Sequence, residues 1–303
     1  MYEQFFGLKE KPFSLTPDTE YFYRYSGHQE ALNVLLVALR NGEGFVRVIG
    51  EVGTGKTLLC RQLLKILQND CDTVYLPNPL LTQLELYQAI ASELQLDVPA
   101  AATVQHLNQH ILEALVELRS KGRPLVVLID EAQAMPLQSL EALRLLSNME
   151  TEKEKLLHIF FFAQPEFDER LEQKELRQLR QRITFSYTLP ALREQETAGY
   201  LEHRLQVAGY QGAPLFQPAA VRLLHRASQG YPRLINLLAH KAMLAAYGKG
   251  RHQIDRRLVG AAIKDGYRKA SFFDGPRVSP VVWDVGTVVS VAMVTLLLLK
   301  VLL

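Results

Sequence analysis

The sequence predicts an α/β nucleotide-binding core on a parallel sheet, then a small all-α lid and an apolar C-terminal helix. Three observations carry this prediction: short apolar runs alternate with segments of helical period, a Gly-rich loop joins the first run to the next helix, and strand signals fade after "FSYTLPAL".

The opening "FFGLKEKPFSLTPDTEYFY" is rich in Pro and aromatics without a helical period, and reads as an ordered, largely irregular arm over residues 1–25. "SGHQEALNVLLVALRNG" has a polar start, helically spaced apolar residues and a Gly stop, so it is predicted to be a helix. "GFVRVIG" reads as a buried strand feeding the loop, and "TLLCRQLLKILQN" as the amphipathic helix that follows. The alternation continues with "DTVYLPN" as strand, then "TQLELYQAIASELQL" and "VQHLNQHILEALVELRSKG" as helices. It ends with "PLVVLIDEAQ" as strand, "LQSLEALRLLSNME" as helix and "LHIFFFAQ" as strand. Strands that are almost wholly apolar belong to a parallel sheet covered on both faces, which places an α/β domain at 26–192. Four further helical segments with Gly or Pro punctuation place an all-α domain at 193–270. "SFFDGPRVSP" reads as a linker, 271–280, ahead of the apolar segment 281–303.

The 303 residues, 48% apolar and 22% charged, suffice for two domains with a real core and exclude disorder as the default. A net charge of +2 argues against wholesale coating of nucleic acid. The charge is uneven, however: 19 basic and 25 acidic residues precede Arg193, whereas 13 basic and 6 acidic residues lie between Arg193 and Gly275. The two cysteines, Cys60 and Cys71, show no metal-ligand spacing, and the N-terminus carries no signal-peptide pattern.

Gly50-Glu51-Val52-Gly53-Thr54-Gly55-Lys56-Thr57 satisfies G-x-x-x-x-G-K-[ST] between a predicted strand and a predicted helix. Its glycines let backbone N–H groups curl round phosphates, Lys56 is suited to the β and γ phosphates of ATP, and Thr57 to Mg2+. The apolar run of "LVVLIDEAQ" stops at Asp130 and Glu131. An Asp at this strand end holds the magnesium shell, and the Glu after it can polarise an attacking water, which favours hydrolysis over binding alone. "HIFFFAQ" ends on Gln164, a candidate for sensing the γ-phosphate or orienting the water. In "LRQLRQRI", Arg177, Arg180 and Arg182 are candidates for an arginine finger acting on a neighbouring subunit's nucleotide, which implies a homo-oligomeric ring, with a hexamer as one candidate size.

Together these features resemble an AAA+ ATPase. The segments "FFGLKEKPFSLTPDTEYFY", "SGHQEAL", "GEVGTGKT", "IDEAQ", "LRQLRQRI", "YLEHRLQVAG" and "SQGYPRLINLLAHKAMLAAY" resemble the secretion ATPase family typified by ExeA (GspA) and its relative MshM of MSHA-type pilus biogenesis. The likeness runs from Met1 to about Tyr267. It implies Lys56 and Thr57 as the Walker A pair, Asp130 and Glu131 as the Walker B pair, Gln164 at sensor 1 and Arg233 of "GYPR" at sensor 2 on the lid. It puts Arg182 first for the finger and Arg180 second, and it sets the "SGHQEAL" region near the adenine. ExeA-like members continue beyond the membrane with a peptidoglycan-binding module, whereas this sequence stops at Leu303. Cell-wall binding is therefore not carried over, and the shorter MshM-like pattern is the closer expectation.

Val285 to Leu299 is fifteen residues without a charge, and the run to Leu303 spans nineteen positions with Lys300 its one charge. A membrane-spanning helix needs about twenty apolar residues. Trp283 stands at an interfacial anchor position, and Arg268, Lys269 and Arg277 ahead of the run place the ATPase body in the cytoplasm by the positive-inside rule. The expected protein is an ATP-hydrolysing motor at the cytoplasmic face of an inner membrane, partnered by pilus or secretion proteins and by membrane lipid. The competing expectation is a DNA-associated regulator of the TnsC or TniB kind, whose basic lid would contact phosphates. An apolar C-terminal segment and the lack of a helix-turn-helix or zinc pattern disfavour nucleic acid.

Overall fold

In the computed structural model, residues 2–99, 101–148 and 155–270 are described. The chain divides into two compact units, Met1–Ile263 and Lys264–Leu303. The second is described over 264–270 alone, the last residues of a helix, so the linker and the apolar run lie outside the described residues. Among the described residues no helix is long and apolar enough to cross a membrane.

The first unit opens with helix α1 (Tyr2–Phe6) and a 3-10 turn at Thr19–Tyr21, followed by α2 (Ser26–Arg40), β1 (Phe45–Ile49) and α3 (Lys56–Leu67). Then come β2 (Asp72–Leu76), α4 (Gln83–Glu93), α5 (Val104–Ser120), β3 (Leu125–Ile129), α6 (Leu137–Leu146) and β4 (Leu157–Ala163). Two short helices, α7 (Glu166–Leu171) and α8 (Arg177–Arg182), lead to β5 (Ile183–Thr188). The helical part comprises α9 (Glu194–Val207), α10 (Pro218–Ser228), α11 (Pro232–Gly248) and α12 (Arg256–Ala270), the last running into the second unit. Local chemistry sets several of these ends. Thr82 and Glu85 form a capping box that starts α4, and Pro218 and Pro232 occupy first-turn positions where a missing N–H costs nothing.

The five strands are all parallel in the order β2-β3-β4-β1-β5. Alternate side chains of each strand face opposite sides, so one set of buried residues splits into two cores. Val46, Val48, Val126, Leu128, Phe160 and Phe162 face α2 and α3, while Phe45, Ile49, Val127, Ile129, Ile159 and Phe161 face α4 to α8. This arrangement matches the covered parallel sheet expected from the apolar strands.

The first of these cores does not stop at the sheet. It continues through Leu201, Leu205, Ile235 and Met243 of the helical part and through Tyr2, Phe6 and Phe13 of the arm. The change of charge at Arg193 therefore marks a change of architecture but no break in packing. Side chains of the helical part hold the arm in place. Arg204, 5% exposed, donates from Nε to Pro12 O at 2.5 Å and sits 4.5 Å above the Tyr21 ring, and Asn236 Nδ2 donates to Ser14 O at 3.2 Å. Helix α1 is too short to show a period, and it forms because Tyr2 and Phe6 are buried against α11, where Tyr2 Oη bonds His240 Nδ1 at 2.9 Å.

Candidate functional site

The site is built at the carboxyl ends of β1, β3 and β4, where helices can aim N–H groups at a ligand. Gly53 and Gly55 have φ of +84° and +97°, a region L side chains rarely adopt. A Cβ on Gly53 would lie 2.5 Å from Arg233 Cβ, and one on Gly55 would lie 3.0 Å from His28 Nε2. The loop is thus clamped between the start of α11, whose Arg233 N–H donates to Gly53 O at 3.2 Å, and the buried His28 of α2.

Lys56 heads α3 with its ammonium turned onto the loop, Nζ donating to Gly50 O at 2.6 Å and Glu51 O at 3.1 Å. Burial holds its pKa below the ordinary lysine value, opposed by the charges of Glu131 and Asp130. Thr57 Oγ1 donates to Asp130 Oδ2 at 2.6 Å, and Glu131 N–H donates to Asp130 Oδ1 at 3.0 Å. Asp130 is 3% exposed, and burial raises its pKa against the effect of those two donors. A buried ammonium and a buried carboxylate each carry a desolvation cost that a ligand of opposite charge would offset. Phosphates suit the first, and a divalent cation held by one hydroxyl and one carboxylate suits the second, so the residues fit a Mg2+ nucleotide.

Glu131 sits in the left-handed region, φ +51°. Gln164 Nε2 donates to Glu131 Oε2 at 2.8 Å, bringing together two residues 33 positions apart. The cleft is lined by Val52, Gly53, Lys56, Thr57, Glu131 and Arg233, and on its far wall by Ser14 to Asp18 of the arm with Tyr200, Arg204 and Asn236. Sequence reasoning gave that wall no role, although its residues lie in segments that carry the family resemblance. Glu51, Val52 and Thr54 shape the loop, with Thr54 Oγ1 closing onto Glu51 O at 2.8 Å. The "SGHQEAL" region adjoins the site as a buttress: His28 packs against Phe22 and Tyr25 with ring centroids 5.0 and 4.3 Å away.

The arginine cluster is less uniform than its spacing implies. Arg182 Nη1 donates to Arg144 O at 3.1 Å and Ser147 Oγ at 2.7 Å, which engages it with the end of α6 in its own chain. Arg180 pairs with Glu172, and Arg177 is exposed.

The fold is that of an AAA+ core, and its site fits a Mg2+ nucleotide. Residues 39–171 match the family model described as an AAA domain. The chain is similar to General secretion pathway protein A of Aeromonas hydrophila, 46% identical over 254 residues that cover 84% of this chain and 46% of that protein. It thus spans just under half the length of that relative. Among solved structures the fold resembles the Aeropyrum pernix ORC2 protein, with a TM-score of 0.64 and 18% identity over 85% of this chain and 72% of that one. It also resembles the Thermotoga maritima RuvB Holliday junction branch migration motor, with a TM-score of 0.56 and 17% identity over 84% and 73%. At these identities the likeness is of fold alone.

Burial pulls the His28 pKa from 6.5 down to about 4, against the weaker pull of its Nδ1 contact with Tyr23 O. A neutral His28 therefore stabilises the fold fully above pH 6.5, and this contribution is lost as pH falls toward 4, by roughly 3 kcal/mol at most. Between pH 7 and pH 5, urea midpoints should drop further for the parent than for His28→Gln; equal drops would remove His28 from the acid response.

Proposed function

We propose that this chain spends ATP at the cytoplasmic face of an inner membrane to assemble or remodel an envelope machine, either a type II secretion system or a type IV, MSHA-like pilus. One observation carries the proposal: the hydrogen-bonded set of Thr57, Asp130, Glu131 and Gln164 beside Lys56 stands on a chain 46% identical, over 254 residues, to General secretion pathway protein A.

In this reading the backbone N–H groups of Gly53 to Thr57 hold the phosphates and Lys56 gives its ammonium to the β and γ oxygens. Thr57 and Asp130 would hold Mg2+, which when bound neutralises charge between the phosphates. Glu131 polarises the water, and Gln164 orients it while fixing Glu131. Arg233 reads the γ-phosphate from the start of α11, so that nucleotide state becomes a change in how the helical part sits on the loop. A finger from a second copy completes the charge compensation and makes the active form a homo-oligomeric ring. Arg182 takes that role once it releases Arg144 O and Ser147 Oγ, whereas the exposed Arg177 has no such contact among the described residues. The run Val285 to Leu303 anchors the body to lipid.

Glu131→Gln should keep ATP affinity within about threefold while turnover falls roughly a hundredfold or more, the scale of a lost general base; unchanged turnover would remove Glu131 from catalysis. For the anchor, the full chain should resist carbonate extraction from membranes while a chain ended at Gly275 comes free. Equal solubility of the two would contradict the anchor and favour the DNA-associated reading.

A further inference from the structure

Glu131 faces a second amide besides Gln164. Gln133 Nε2 donates to Glu131 Oε2 at 2.6 Å, and Gln133 Oε1 accepts the backbone N–H of Gln164 at 3.0 Å. One half-buried side chain therefore grips the carboxylate that polarises water and the backbone of the residue that orients it. Both donors converge on the same carboxylate oxygen, Oε2, and neither reaches Oε1.

The grip is itself held. Arg170 of α7 donates from Nη1 to Gln133 O and from Nη2 to Met135 O, the latter at 2.7 Å, fixing the turn on which Gln133 stands. Helix α7 is in turn tied to the sheet, Arg47 Nη1 of β1 bonding Asp168 Oδ1 at 2.5 Å. The need for such a grip follows from the backbone. A non-Gly residue in the left-handed region costs of order 1 kcal/mol and persists only when its surroundings over-determine it. Glu131 is that residue, and a carboxylate on a strained turn, with a flexible side chain, has no fixed direction unless donors supply one.

We infer that Gln133 is a positioning residue for ATP hydrolysis, acting through Glu131 and Gln164 and touching no substrate. The inference rests on the assignment of Glu131 as the group that polarises water. Loss of the Gln133 donor leaves the Glu131 carboxylate one hydrogen bond, that from Gln164, and loosens its direction, while Lys56, Thr57 and Asp130 keep their contacts. Binding is therefore spared and the chemical step is not.

The test uses the full chain in four forms, the parent, Gln133→Met, Glu131→Gln and the double variant, measured for kcat, KM and ATP affinity. Gln133→Met is close in size and cannot donate. It should lower kcat about tenfold or more, the scale of a lost charge-assisted hydrogen bond, with ATP affinity within about threefold. In the Glu131→Gln background the same change should alter the residual rate less than about twofold, because the group it acts through is gone. Gln133→Glu keeps the size and the acceptor for Gln164 but not the donor, so it should lose kcat as Gln133→Met does, and it carries the test if the Met variant fails to fold. A kcat within about twofold of the parent for either Gln133 variant, or equal losses in both backgrounds, would overturn the inference while leaving Glu131 in place. Full turnover by Glu131→Gln would overturn the assignment beneath it.

Discussion

The hydrogen bond of 2.6 Å from Thr57 Oγ1 to Asp130 Oδ2 joins the helix after β1 to the end of β3, two strands that are not neighbours. Strand β4 lies between them. That insertion is what opens a cleft, since the segments leaving β1 and β3 must part around the end of β4, and it places Gln164 in the middle. Every other feature of the site is measured from this line: Lys56 one residue before Thr57, Glu131 one residue after Asp130, and Gln164 bonded to Glu131. The two residues that carry opposite charge, Lys56 and Asp130, are both buried, and each is shifted toward its neutral form by that burial. A Mg2+ nucleotide would supply the missing counter-charges, which is how these residues fit that ligand.

A second constraint concerns the helical part. It shares one apolar core with a face of the sheet and with the arm, and it touches the phosphate loop directly through Arg233 N–H and Gly53 O. Ser26 Oγ at the start of α2 also donates to Glu196 Oε1 of α9 at 2.7 Å. The loop therefore cannot change without disturbing the start of α11. The arm participates because Arg204 and Asn236 hold its carbonyls across the mouth of the cleft. Such joined elements are suited to turning a small change at a phosphate into a rotation of helices.

Much of this was legible in the sequence, for physical reasons. Strands buried on both faces are almost wholly apolar, so "FVRVI", "LVVLI" and "LHIFFFA", with Arg47 and His158 their only polar residues, declare themselves, and a polar residue ending such a run draws attention to Asp130 and Gln164. The loop is legible because glycine tolerates its positive φ values. Helices α1, α7 and α8 were not, since five or six residues are too few to show a period, and they exist through tertiary packing. Gln133 lies in full view in "IDEAQ", yet its role depends on the left-handed turn at Glu131 and on Arg170, 37 residues away. Arg182 shows the same limit from the other side, for spacing shows a basic cluster but not which member bonds its own chain.

The central claim is that Thr57 and Asp130 act as one unit. ATP turnover by Thr57→Val, Asp130→Asn and the double variant, with the parent, tests it most directly. Residues that share one function lose it together, so the double variant should be no more than about threefold slower than the worse single variant. If the two losses multiplied instead, the residues would be acting independently and the account of the cleft would be wrong.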